Sequence, residues 1–170
     1  IYVHTDHVEA AIGPLSRVFG LSSLSPVESV PRDMDAILAA CVRAAQAAGM
    51  TTGTSFHVEA RRSDKTFPFI SPEISRLGGE AICHQVGGRV DLSRRAQVII
   101  GVEVSATQAL IFGRSVPGPG GLPLGTEGRV IALISGGIDS PVAAWLMMKR
   151  GCNVIPLHFC QGEIETAKAR

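Results

Sequence analysis

The sequence predicts two architectures in series: an α+β domain, followed by the start of an α/β domain built on a parallel sheet. Three observations carry this expectation. Through the first two thirds of the chain the hydrophobic period switches between about 3.6 and 2. From Pro117 to Gly128 neither period survives, because prolines and glycines dominate. Beyond that stretch an apolar run, a Gly/Ser turn, a helical pattern and a second apolar run follow at once, which is the signature of one βαβ unit.

Taking the elements in order, Val8, Ile12, Leu15 and Phe19 lie near helical spacing, interrupted by Gly13-Pro14 and closed by Gly20-Leu21-Ser22-Ser23. Leu24 to Val30 reads as extended. Met34, Ile37, Leu38, Cys41, Val42 and Ala45 form one apolar helix stripe, with Asp33 as its N-cap and Gly49 past its end. Thr54 to Arg61 alternates Phe56, Val58 and Ala60 against His57, Glu59 and Arg61, as a half-buried strand does. His57 falls on the exposed side and earns no catalytic role. Ser71-Pro72-Glu73 looks like a helix start with Ser71 as cap, and Ile74, Leu77, Ala81, Ile82 and Val86 supply the buried face before Gly87-Gly88. Gln97–Val104 and Ala109–Val116 then read as a hairpin of strands. Residues 117–128 support neither helix nor ladder and read as a domain linker.

The last stretch carries the clearest chemistry. Val130-Ile131-Ala132-Leu133-Ile134 has the β-branched character of a strand buried on both faces of a parallel sheet. Ser135-Gly136-Gly137-Ile138-Asp139-Ser140 follows, with Pro141 as the first helical position and Val142, Leu146 and Met147 on the helix. Lys149, Arg150 and Gly151 end it, and Asn153 to Phe159 returns as a strand. Gly136 and Gly137 leave backbone amides uncovered beside a helix N-terminus, where a phosphate is favoured. Ser135 and Ser140 add hydroxyls, and Asp139 is placed either to cap the helix or to hold a metal ion. The lysine of the GxxxxGK[ST] loop and the GxGxxG spacing are both missing, so a different phosphate loop is implied.

Composition sets the frame. With 170 residues, 45% hydrophobic and 18% charged, the chain can bury a core in one or two domains. No apolar run is long enough to span a bilayer. The opening IYVHTDHVEA holds neither an initiator methionine nor a signal peptide, and Glu163 to Arg170 is an unfinished helical pattern, so the chain reads as a piece opened inside a larger protein. Cys41, Cys83, Cys152 and Cys160 show no CxxC pairing and read as reduced cytosolic thiols rather than disulfides or a zinc site. A net charge of +1 does not select a partner, so local charge matters more. Arg61, Arg62 and Lys65 leave one strand end together, beside Phe67 and Phe69 and before a helix start, as a basic edge for a sugar-phosphate backbone would. Arg89, Arg94 and Arg95 are weaker candidates of the same kind. The alternative for the basic edge is a solvated turn with its aromatics in the core.

SGGIDS resembles the SGGxDS pyrophosphate loop of enzymes that split ATP between its α and β phosphates. Together with ARRSDKTFPFISPE, VDLSRRAQVIIGVEV, the PGPGGLP linker and the WLMMKRGC helix, it makes the whole chain similar to the ThiI-type tRNA uridine 4-sulfurtransferases. The resemblance implies the end of a ferredoxin-like domain over 1–25, a THUMP RNA-binding domain over 26–114, a linker over 115–128 and the start of a PP-loop ATP pyrophosphatase domain over 129–170. It also implies ATP and Mg²⁺ as cofactors and tRNA as partner. A cysteine desulfurase would hand over a persulfide, giving 4-thiouridine, and some members supply sulfur for the thiamine thiazole. The loop residues Ser135, Gly136, Gly137, Asp139 and Ser140, with Leu133, Ile134, His158 and Phe159 at the strand ends, would bind ATP; His158 as a plain strand-end residue is the alternative. No metal ligand set is implied. The family's catalytic cysteine and any rhodanese-like domain fall beyond Arg170, Cys152 and Cys160 do not replace that cysteine, and the fragment alone is expected to be inactive. A homodimer and a cytoplasmic location complete the implied picture. Two rival readings stay open: an RNA-binding module without catalysis, and a PP-loop enzyme that adenylates a small molecule.

Overall fold

The computed structural model describes residues 1–93 and 95–159. Arg94, Cys160 and the helical pattern of 163–170 lie outside the described residues. The chain divides into two units, one spanning Ser25–Ser115 and the other joining Ile1–Leu24 to the chain from Val116.

In the Ser25–Ser115 unit, residue alternation decides which side of a five-stranded sheet is buried. Its strands are β2 (Glu28–Val30), β3 (Ser55–Arg62), β4 (Arg89–Val90), β5 (Val98–Val104) and β6 (Ala109–Phe112), in the order β2-β6-β5-β3-β4. β3 pairs parallel with both β4 and β5, while β6 runs antiparallel to β5 and β2. The parallel steps require a crossover, which α3 (Ser71–Gln85) supplies between β3 and β4. α2 (Met34–Ala47) packs beside it. Phe56 and Val58 on β3, Ile100, Val102 and Val104 on β5, and Ile111 on β6 meet Ile37, Cys41, Ala45, Ile74 and Ile82 from the two helices, and all are buried. Asp33 caps α2 as expected, accepting from the Ala36 amide at 3.0 Å, and Gly49 follows at φ +69°.

Three expectations for this unit need correcting. Ser71 is the first helical residue, not the cap: Ile70 takes the N-cap position, and Glu73 reaches back to accept from the Ile70 amide at 3.0 Å. The buried face of α3 includes Gly78, whose missing side chain lets Val58 and Cys41 approach, while Leu77 and Ala81 are half-buried. The second hairpin strand stops at Phe112, and Val116–Pro117 is a separate strand, β7, paired with β1 (Ser23–Leu24) in the other unit.

In that other unit, α1 (Val8–Leu15) ends earlier than its apolar spacing suggests, with Pro14 in its last turn. β8 (Arg129–Leu133) and β9 (Asn153–Leu157) pair in parallel across α4 (Asp139–Lys149), so the βαβ unit forms as read. Gly151 takes the left-handed cap at φ +92°. α4 starts at Asp139, which places Pro141 third rather than first. β8 is not buried on both faces: among the described residues it pairs only with β9, and Ile131 and Leu133 on the side away from the half-buried Val130 and Ala132 stay 68% and 60% exposed. The Pro/Gly stretch read as a domain linker makes ordered backbone contacts. Leu122 donates to the Lys149 carbonyl, and the Gly125 and Glu127 amides donate to that of Gly151, which ties the stretch to the end of α4.

Candidate functional site

The Ser135–Ser140 loop leaves β8 at its carboxyl end and enters α4, the position where parallel α/β units receive ligands. Its two hydroxyls meet: Ser135 Oγ and Ser140 Oγ are 3.2 Å apart, the Ser135 amide donates to Ser140 Oγ at 3.0 Å, and the Gly137 amide lies 3.4 Å from Ser135 Oγ. Neither Gly136 nor Gly137 adopts positive φ, so their use here is the missing side chain and not conformational freedom. The amides of Gly136, Ile138, Asp139 and Ser140 find no acceptor among the described residues. With the positive end of the α4 dipole they form an exposed donor set suited to a phosphate. Asp139 sits exposed in the first helical turn.

His158 and Ile134 come together across the two strand ends. The Ile134 amide donates to the Leu157 carbonyl at 2.8 Å, and His158 Nδ1 lies 2.8 Å from the Ile134 carbonyl. A carbonyl only accepts, so Nδ1 carries the hydrogen of that bond. Nε2 is buried and finds no hydrogen-bond partner among the described residues. Leu133 and Phe159 are exposed beside it. Among the described residues no group of three or more His, Cys, Asp or Glu could hold a metal ion by itself.

The basic edge divides. Arg61 and Arg62 are successive strand residues and point to opposite faces, so they do not act as one patch. Arg61 pairs with Glu59 at 2.8 Å on the face that also carries Ile99, Gly101, Glu103 and Phe112 around a shallow pocket. Its guanidinium is held further toward the charged form by the Glu59 hydrogen bond and charge, with Glu103 adding a smaller share. Arg62 is half-buried, and its Nη1 donates to the carbonyls of Phe67 at 3.1 Å and Phe69 at 3.3 Å. Lys65 is exposed on the loop between the half-buried Asp64 and the exposed Thr66.

Sequence reasoning missed Arg32, which reaches the same loop from a position 34 residues away. Its Nη2 lies 2.8 Å from both Asp64 Oδ2 and Thr66 Oγ1, and its guanidinium carbon sits 5.4 Å from the Phe67 ring centre. Nothing local in Pro31-Arg32-Asp33 signals that contact. Arg89 and Arg95 are exposed, and burial pushes the Cys41 thiol up to about 12, which leaves it inert.

Comparison with known proteins fits both units. Residues 31–113 match the THUMP domain model, and residues 125–170 match the model described as thiamine biosynthesis protein (ThiI). A probable tRNA sulfurtransferase of Moorella thermoacetica is 44% identical over 91% of this chain, and one of Thermococcus kodakarensis is 41% identical over 100% of it. The chain belongs to the ThiI family. It spans 39% and 45% of the lengths of those two relatives. Among solved structures, PH1313 of Pyrococcus horikoshii superposes with a TM-score of 0.86 at 36% identity, covering 98% of this chain and 55% of that one. A 4-thiouridine synthetase in complex with RNA and bound ATP gives 0.77 at 30% identity, covering 94% and 41%. The ThiI-type fold is therefore a THUMP domain followed by the start of a PP-loop domain.

Proposed function

We propose that this chain is the RNA-holding and nucleotide-entering part of a tRNA sulfurtransferase that makes 4-thiouridine in the cytoplasm, taking sulfur from a persulfide carrier loaded by a cysteine desulfurase. The observation that carries the proposal is the Ser135–Ser140 loop, with two touching hydroxyls and uncovered amides at the end of a parallel strand, in a chain that also holds a THUMP domain. ATP held there supplies the adenylyl group that turns a uracil carbonyl oxygen into a leaving group.

The loop amides and the Ser135 and Ser140 hydroxyls fit the departing pyrophosphate. Asp139 fits a Mg²⁺ ion carried mainly by phosphate oxygens and water, since such an ion needs only one or two carboxylates. Leu133, Ile134 and Phe159 line the strand ends for the adenosine, and His158 Nε2 offers an acceptor to an amino group. On the THUMP side, Lys65 makes the phosphate contact, Arg62 holds the loop that carries it, and Arg61 adds a contact only when it leaves Glu59. The same protein's part in thiamine thiazole synthesis, and its assembly as a homodimer, belong to this proposal as well.

The test is binding of unmodified tRNA and of ATP with Mg²⁺ to the 170-residue chain. The expected result is tRNA affinity that falls steeply with salt, as phosphate contacts require. ATP binding should weaken when Ser135→Ala and Ser140→Ala are combined. A chain that melts cooperatively yet binds neither ligand at low salt would overturn the reading.

A further inference from the structure

We propose that Arg32, Asp64 and Thr66 form a clamp that presets the 63–70 loop for RNA, with Arg32 a positioning residue for the phosphate contact at Lys65; this rests on the tRNA-binding reading above. The loop follows β3 and is held from two sides. Ser63 donates its amide to the Val104 carbonyl at 2.9 Å, and Arg62 fastens the Phe67 and Phe69 carbonyls. From the other side, Arg32 Nη2 bridges Asp64 and Thr66, while its planar group lies over the buried Phe67 ring. Asp64 closes the loop on itself, accepting the Thr66 amide at 2.9 Å and the Thr66 hydroxyl at 2.7 Å.

Charge alone makes this arrangement odd. A carboxylate next to Lys65 works against a phosphate, and without Arg32 its charge would cancel more of the attraction that Lys65 offers. Arg32 neutralises Asp64 while using it as an anchor. The arginine is itself committed to this place: its side chain is 24% exposed, and its Nε is buried with no partner among the described residues. That cost is offset only where Nη2 and the ring face stay engaged. A loop held before RNA arrives loses less freedom on binding, so the clamp acts on affinity without adding a phosphate contact.

The sign of one substitution decides the matter. Asp64→Asn removes a negative charge, which on electrostatics alone tightens RNA binding. On the clamp it loosens the loop and weakens binding. The experiment is fluorescence anisotropy of unmodified tRNA with the 170-residue chain over a salt series, with a circular dichroism melt of every variant. Lys65→Ala should lower the slope of log affinity against log salt by about 0.7 to 0.9, one phosphate contact. Asp64→Asn and Arg32→Lys should weaken binding about three- to tenfold, the range for ordering one or two side chains, with the parent's slope retained. Thr66→Val, which only removes the hydroxyl bridge, should weaken binding in the same way and carries the test if Arg32→Lys loses its cooperative melt. Asp64→Asn binding as tightly as the parent or tighter overturns the clamp and leaves the tRNA reading standing. A folded parent that binds no tRNA overturns that reading and the clamp with it.

Discussion

At Gly78 the seam between α3 and the sheet leaves room for a methyl group and little more, because a Cβ there would meet Val58 at 3.4 Å and Cys41 at 3.5 Å, ordinary contact distances. Alanine therefore fits, and exchanging glycine for alanine inside a helix relieves a backbone entropy cost of roughly 0.5–1 kcal/mol. Gly78→Ala and the neighbouring Gly79→Ala, which faces open space, should each raise the unfolding free energy by about that amount, read as a urea midpoint moved upward at unchanged slope. Gly78→Leu should instead cost about 1–3 kcal/mol through overpacking, while Gly79→Leu should not. A loss of stability in Gly78→Ala matching that of Gly78→Leu would show that α3 cannot yield even a few tenths of an ångström. The sequence gives little hint of this residue, because a glycine adds nothing to an apolar stripe. Ile74 and Ile82 were legible on the same face for the opposite reason.

Two loops of the THUMP sheet are built on the same small device, an aspartate that accepts from the residue two positions on. Asp64 takes the Thr66 amide and Asp91 takes the Ser93 amide, each at 2.9 Å. Both carboxyls are held below their ordinary 3.8, first by that amide, then by the Thr66 or Ser93 hydroxyl; Arg32 and Arg62 help Asp64, and Arg89 and His57 help Asp91. A lowered folded value means that the stabilisation is fully present above 3.8 and is lost as pH falls through the lower value. Followed by NMR from about pH 5 to about pH 2, the Thr66 and Ser93 amide shifts should move with midpoints below 3.8. Asp64→Asn should abolish the Thr66 transition alone, and a midpoint at or above 3.8 would contradict the hydrogen-bonded geometry. These elements also mark the limit of what the sequence could convey. The strands, α2 with its Asp33 cap and the β8-α4-β9 unit follow from local period and capping, which a sequence displays. The opposite facing of Arg61 and Arg62 follows from strand alternation and was equally available. The approach of Arg32 to Asp64 depends on the sheet order β2-β6-β5-β3, which separates the two strands by β6 and β5, and no local pattern encodes that.

At the scale of the whole chain the two units differ in how much they bury. The Ser25–Ser115 unit has a continuous core from Val30 to Ile111, whereas among the described residues of the other unit the buried apolar side chains are Ala144 and Cys152. Apolar side chains at Ile131, Leu133 and Ile155 remain exposed there, so less surface is removed from water to offset chain entropy. The apolar run of β8 was readable, but whether a second layer covers it depends on partners that a strand's own sequence does not specify. The sole tryptophan, Trp145, lies on α4 with its ring 5.5 Å from that of Phe19, so its fluorescence reports the less buried unit alone. Urea should therefore change tryptophan fluorescence at a lower concentration than it removes the bulk of the far-ultraviolet circular dichroism. Ile82→Ala, a buried truncation in the core of the THUMP unit, should cost about 2–5 kcal/mol in the second transition and leave the first in place. Coincident transitions that shift together in Ile82→Ala would mean that the two units unfold as one cooperative body, and the difference in burial would then have no consequence for how the chain comes apart.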